Sequence, residues 1–80
     1  MQVTIINFEK IFYQDKVVSI VAPGLNGYFQ ILENHAPFIS ILKDGILKLK
    51  PFYVYDRKNF EIQIEGGILQ VKKNMVSIIL

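Results

Sequence analysis

The side chains that could do chemistry are few and stand apart. His35 is the only histidine, no cysteine accompanies it, and the nearest carboxylate in sequence is Glu33. A metal site needs several His, Cys or acidic ligands at short spacings. His35 therefore reads as a structural or interface residue, and neither a metal nor a catalytic base is expected. Ser19, Ser40 and Ser77 each fall between β-branched residues, without the glycines of a nucleophile elbow. Gly24 and Gly27, and the Gly66-Gly67 pair, are not followed by Lys-Ser or Lys-Thr, so no phosphate loop is present. Tyr13, Tyr28, Tyr53 and Tyr55 could stack on bases with the phenylalanines. Cross-strand packing accounts for them more simply. Lys48, Lys50, Lys72 and Lys73 are scattered and the net charge is only +2, which fits solvated strand faces better than a nucleic-acid groove. These residues point to no reaction and no cofactor.

The elements that position them are strands. Eighty residues make one domain spanning 1–80, and a chain of this size buries only about 60% of its unfolded surface. Yet 51% of the residues are hydrophobic and no cysteine is available for a disulfide. Either the core is dense or part of the apolar surface belongs to a partner. No apolar run approaches the ~18 residues that span a bilayer as a helix. The early charges Glu9, Lys10 and Asp15 do not fit a signal peptide.

Along the chain, Val3 and Ile5 alternate with Gln2, Thr4 and Ile6. Phe8-Glu9-Lys10 is a short corner, Ile11 to Gln14 is extended, Asp15-Lys16 is a turn or bulge, and Val17 to Ala22 is a second apolar segment. Its β-branched residues disfavour helix. Phe38 to Lys43 places Ile39 and Ile41 on one face. Asp44-Gly45 is a hairpin signal, followed by Leu47 and Leu49 alternating with Lys48 and Lys50 up to Pro51. Phe52-Tyr53-Val54-Tyr55 could extend that strand, with Asp56 to Asn59 a polar loop tip. Phe60, Ile62 and Ile64 alternate with Glu61, Gln63 and Glu65, the period of a half-buried strand. Gly66-Gly67 is a turn or bulge, Leu69 and Val71 point inward, Lys73-Asn74 turns the chain, and Val76 and Ile78 share a face. Short strands joined by such turns predict an all-β sandwich or barrel.

Between Ala22 and Phe38 lie the histidine and two of the three prolines. Pro23-Gly24 ends a strand, and Asn26-Gly27 predicts a tight hairpin turn with positive φ. Glu33-Asn34 breaks the next short strand, and Pro37 holds Ala36 extended. The run Val21-Ala22-Pro23-Gly24-Leu25-Asn26-Gly27-Tyr28-Phe29-Gln30-Ile31-Leu32-Glu33-Asn34-His35-Ala36-Pro37 resembles the signature of the epsilon subunit of F-type ATP synthases. Leu42-Lys43-Asp44-Gly45-Ile46-Leu47 and Glu65-Gly66-Gly67-Ile68-Leu69-Gln70-Val71 resemble two later segments of that family, in the same order.

The resemblance implies a flattened sandwich of two mainly antiparallel sheets, about ten short strands in all. It implies a non-catalytic rotor subunit at the foot of the central stalk, binding the gamma subunit and the polar loops of the c-ring and so coupling proton flow to ATP synthesis. That would make it peripheral to the membrane, on the cytoplasmic face of a bacterial cell, through protein contacts. By resemblance, Asn26, Gly27 and Tyr28 face the c-ring, and His35, Ala36 and Pro37 face gamma. A sheet face covered by gamma would also explain the excess of hydrophobic residues. The chain departs from the family where Tyr28-Phe29-Gln30 replaces an acidic residue and glycine, so Tyr28 offers apolar and hydrogen-bonding contact instead. The family usually continues into a pair of C-terminal helices that can inhibit hydrolysis and, in some members, bind ATP. A sequence stopping at Leu80 is expected to couple without that inhibition and without ATP binding. The competing reading is a small all-β ligand- or nucleic-acid-binding module.

Overall fold

The computed structural model describes residues 1–53 and 58–80, and the strand extension through Val54 and Tyr55 and the tip at Asp56-Arg57 fall outside the described residues. The described chain is all β. Its strands are β1 (Gln2–Ile6), β2 (Ile11–Gly24), β3 (Gly27–Leu32), β4 (Phe38–Pro51), β5 (Phe60–Lys72) and β6 (Met75–Ile79). They form one sheet in the order β1-β6-β5-β4-β2-β3, and an added β1–β2 pairing closes it into a barrel-like loop with β3 attached to β2. All pairings are antiparallel except β1 with β6.

Six strands in one closed sheet replace the expected ten in two sheets, because Asp44-Gly45, read as a hairpin turn, and Asp15-Lys16 and Gly66-Gly67, each read as a turn or bulge, lie within continuous strands. β2, β4 and β5 run 14, 14 and 13 residues without interruption. Asp44-Gly45 and Gly66-Gly67 lie inside β4 and β5, whose register holds from Phe38↔Val71 to Leu49↔Phe60. What changes there is the inward face. In β4 it passes from Leu42 to Leu47 and Leu49, and in β5 from Ile64 to Leu69 and Val71. Each step is an odd number of residues, so the period-two alternation slips by one at the glycines. In β2 the inward face passes from Val17 to Ile20 and Ala22. There the register against β4 shifts between Val17 and Ser19, as at a β-bulge, rather than at Asp15-Lys16. These three places are corners at which long strands pass from one wall of the closed sheet to the other.

Gly67 shows why a corner needs glycine. A Cβ there would stand 2.6 Å from the carbonyl oxygen of Ile79, at φ +154°. The first wall consists of β1, β6 and the adjoining halves of β2, β4 and β5. The second consists of β3 and the remaining halves. Between them lie Val3, Ile5, Val17, Ile20, Ile31, Leu47, Leu49, Leu69, Val76 and Ile78, all buried, and no described polar or charged residue is buried with them. The alternation expected for β1, β6 and both ends of β5 places the same residues inward in the structure.

Candidate partner interfaces

The β2–β3 hairpin closes through Leu25 and Asn26, with Gly24 paired to Gly27. Gly27 has the expected positive φ, at 120°, but the turn is centred on Leu25-Asn26 rather than on Asn26-Gly27, and a Cβ on Gly27 would meet nothing within 4 Å. Asn26 and Gly27 are exposed at the tip. Tyr28 is half-exposed, and its hydroxyl accepts a hydrogen bond of 3.0 Å from the backbone N–H of Ile46. That bond spans the place where β2 and β4 change register between Val21 and Gly24. Tyr28 therefore ties the hairpin to the β4 corner, and its ring lines a groove on the outer side of the second wall with Val21, Ile46, Lys48 and Glu61. The opposite side of the tip, from Gly24 to Phe29, opens on a groove of about 530 Å³ shared with Phe38 to Ile41.

His35, Ala36 and Pro37 follow the end of β3 away from the hairpin tip, a strand of ~17 Å at about 3.3 Å per residue, after which the chain returns and Phe38 packs at 5.5 Å on Phe29. Asn34 makes the turn at φ 65°, a conformation asparagine tolerates. Its side-chain oxygen accepts from Asn74 Nδ2 at 2.9 Å, and its N–H donates to Asn74 Oδ1 at 2.7 Å. Lys73 and Asn74 have φ 51° and 59°, the two-residue hairpin turn expected between β5 and β6. Glu33 adds an ion pair of 2.6 Å to the Met1 α-amino group. The corner is thus fixed to two neighbouring elements. The His35 Nδ1 lies 2.7 Å from the Ala36 carbonyl oxygen, and the ring packs at 5.4 Å on Phe38. Local contacts hold this histidine, and among the described residues no group of three or more His, Cys, Asp or Glu side chains could hold a metal ion. Pro37 lines a groove with Ile39, Gln70 and Lys72, which belongs to the outer side of the first wall.

That outer side carries a feature not read from the sequence. Ile41 pairs with Ile68, Ile68 with Ile79, Ile79 with Ile6, and Ile6 with Ile11. Directly paired residues point to the same face, so five isoleucines form one row across five strands. Ile11, Ile41, Ile68 and Ile79 are 48–59% exposed. The next row, Ile39, Gln70, Ser77, Thr4 and Gln14, is mostly polar. The one after it contains Lys72, Met75, Gln2 and Lys16. The row spans ~19 Å, four strand intervals of about 4.8 Å. The alternation of Ile39 and Ile41 was visible in the sequence. That their face is the outer one, and which residues continue it, depends on strand order and register.

Residues 1–80 match the family model for the ATP synthase, Delta/Epsilon chain, beta-sandwich domain. An ATP synthase epsilon chain of Leptospira borgpetersenii is 42% identical over 79 residues, which cover 99% of this chain and 59% of that relative. One from Chlorobium limicola is 40% identical over 70 residues, covering 88% of this chain and 76% of the relative. Among solved structures, a chain in the Euglena gracilis mitochondrial ATP synthase OSCP/F1/c-ring assembly superposes with a TM-score of 0.85 at 23% identity, covering 96% of this chain and 48% of that one. A chain in the Tetrahymena thermophila mitochondrial ATP synthase central stalk/c-ring gives 0.81 at 21% identity, covering 98% and 60%. At these identities the two structures establish the fold.

Proposed function

The chain belongs to the β-sandwich family of ATP synthase delta and epsilon chains, and we propose that it is a non-catalytic rotor subunit linking gamma to the c-ring. The observation that carries this reading is the isoleucine row. Five in-register apolar side chains on the outside of a small closed sheet form a stripe of the kind that marks a protein interface, and the central stalk supplies a neighbour to cover it. Gamma lies on the first wall in this reading, against the row, with His35, Ala36 and Pro37 at its rim. The c-ring loops meet the β2–β3 tip at Asn26, Gly27 and Tyr28. The bond from Ile46 to Tyr28 supports this assignment mechanically, because it braces the tip against β4, a strand that also carries Ile39 and Ile41 on the gamma side. Force applied at the tip then reaches the gamma face through hydrogen-bonded backbone rather than through a free loop.

The subunit works by connecting rather than reacting. It sits on the cytoplasmic face of the membrane, held there by its protein partners, and its contribution to coupling proton transport with ATP synthesis is rigidity between two contacts. No helix among the described residues is long and apolar enough to cross a membrane.

The test is to tag the chain in its source cells and purify it in mild detergent. Gamma and the c-ring should accompany it in fixed proportion, and Tyr28→Cys should cross-link to c while His35→Cys cross-links to gamma. Co-purification with nucleic acid in place of stalk subunits, or full solvent accessibility of both cysteines in the assembled enzyme, would overturn the reading.

A further inference from the structure

At the end of the isoleucine row, the turn joining Ile6 to Ile11 exposes Phe8 to 95%, the highest value of any large hydrophobic side chain described. An isolated exposed apolar residue needs no explanation, but this one stands on a built support. The Asn7 side-chain oxygen accepts from the N–H groups of Glu9 and Lys10 at 2.8 and 2.9 Å, and the Asn7 N–H donates to the Lys10 carbonyl at 3.1 Å. The Leu80 N–H donates to the Ile6 carbonyl at 2.8 Å and braces the strand leading into the turn. Lys10 places its ammonium 4.6 Å from the ring of Phe12, so its side chain is also engaged. The turn is pre-organised, and binding through it gives up little backbone freedom.

We infer that Phe8 is the anchor of the first-wall interface, and that the stalk subunit covering the isoleucine row has an apolar pocket at the Ile6–Ile11 end that takes the phenyl ring. The inference rests on the rotor reading above. Aromatic anchors seated in desolvated pockets carry a large share of binding energy, and Phe8 is the most exposed aromatic among the described residues and stands next to the stripe a partner must cover. A protein partner fits the surroundings better than a lipid surface. Lipid-binding segments pair apolar side chains with clustered cations, whereas this turn carries one Glu and one Lys.

The experiment measures the affinity of the full chain for purified gamma subunit of the same ATP synthase. It compares the unaltered chain with Phe8→Ala, Phe8→Leu and Ile68→Asp, and records a thermal melt for each. Phe8→Ala is expected to weaken binding on the order of 30-fold with an unchanged melt, and Phe8→Leu to restore part of the loss. Equal binding by Phe8→Ala, with Ile68→Asp defective, removes the anchor and leaves the rotor reading intact. Failure of the unaltered chain to bind gamma removes both. Phe8-dependent self-association, or Phe8-dependent binding to vesicles of phosphatidylglycerol and phosphatidylethanolamine, with gamma affinity unaffected, would overturn the choice of partner.

Discussion

β4 and β5 build both outer faces of the molecule, and the two faces differ sharply. Where these strands pair in the first wall they present Ile39, Ile41 and Ile68. Where they pair in the second they present Lys48 opposite Glu61 and Ile46 opposite Gln63, with Lys50 next along the same face of β4. Lys48 and Glu61 approach to 3.6 Å with both side chains about half-exposed, an arrangement suited to water. The two strands, their pairing and their register are continuous across both faces, so backbone structure does not account for the contrast. In the rotor reading proposed above, the difference lies in what each face meets, gamma against the isoleucine row and water around Lys48 and Glu61.

The largest expected effect breaks the apolar face. Ile68→Asp puts a carboxylate inside the row, between Ile41 and Ile79, and should lower gamma affinity ~100-fold or more, since an unpaired charge in a desolvated contact costs several kcal/mol, about 3 or above. Ile68 is half-exposed in the free chain, so circular dichroism and the melt should change little. The next effect attacks the corner that separates the faces. Gly67→Val adds a clash with the Ile79 carbonyl to backbone strain and should cost about 3 kcal/mol or more. At ~4–8 °C per kcal/mol for a domain of this size, the melting temperature should fall by more than ~10 °C. Gly27→Val isolates strain from clash, because a Cβ at Gly27 meets nothing. It should cost on the order of 1–3 kcal/mol and shift the melt less than Gly67→Val does. An unchanged melt would mean that the tip re-forms with another turn. Tyr28→Phe removes the partner of the Ile46 N–H and should cost about 1 kcal/mol, visible as faster amide exchange at Ile46. The smallest effect belongs to the charged face. Lys48→Ala breaks an exposed ion pair worth at most ~1 kcal/mol and should leave gamma affinity unchanged, the reverse of Ile68→Asp.

Local alternation made much of this fold legible. The inward positions of β1, β5 and β6, the Lys73-Asn74 turn and the end of β4 at Pro51 all follow from short-range pattern. The corners were not legible, because Asp44-Gly45 and Gly66-Gly67 carry the same residues a hairpin would use. Only pairing along the full length of β4 and β5 distinguishes a strand that bends from two strands that turn. The interface was legible in part. The asparagine and proline around His35 announce a shaped corner, and the Asn34–Asn74 contact supplies its mechanism across 40 residues of sequence. The isoleucine row had no local signature at all. Its members come from five strands, and only β1's parallel pairing with β6 and the Ile6–Ile11 register bring the last two into line.

Covalent footprinting with a photoactivated carbene tests the two-face account most directly. The isolated chain and the assembled enzyme are labelled side by side and compared residue by residue. The account predicts that Ile11, Ile41, Ile68, Ile79 and Phe8 lose most of their labelling on assembly, while Lys48, Lys50 and Glu61 keep theirs. Isoleucines that label equally in both samples, or protection that falls instead on the Lys48–Glu61 face, would contradict it.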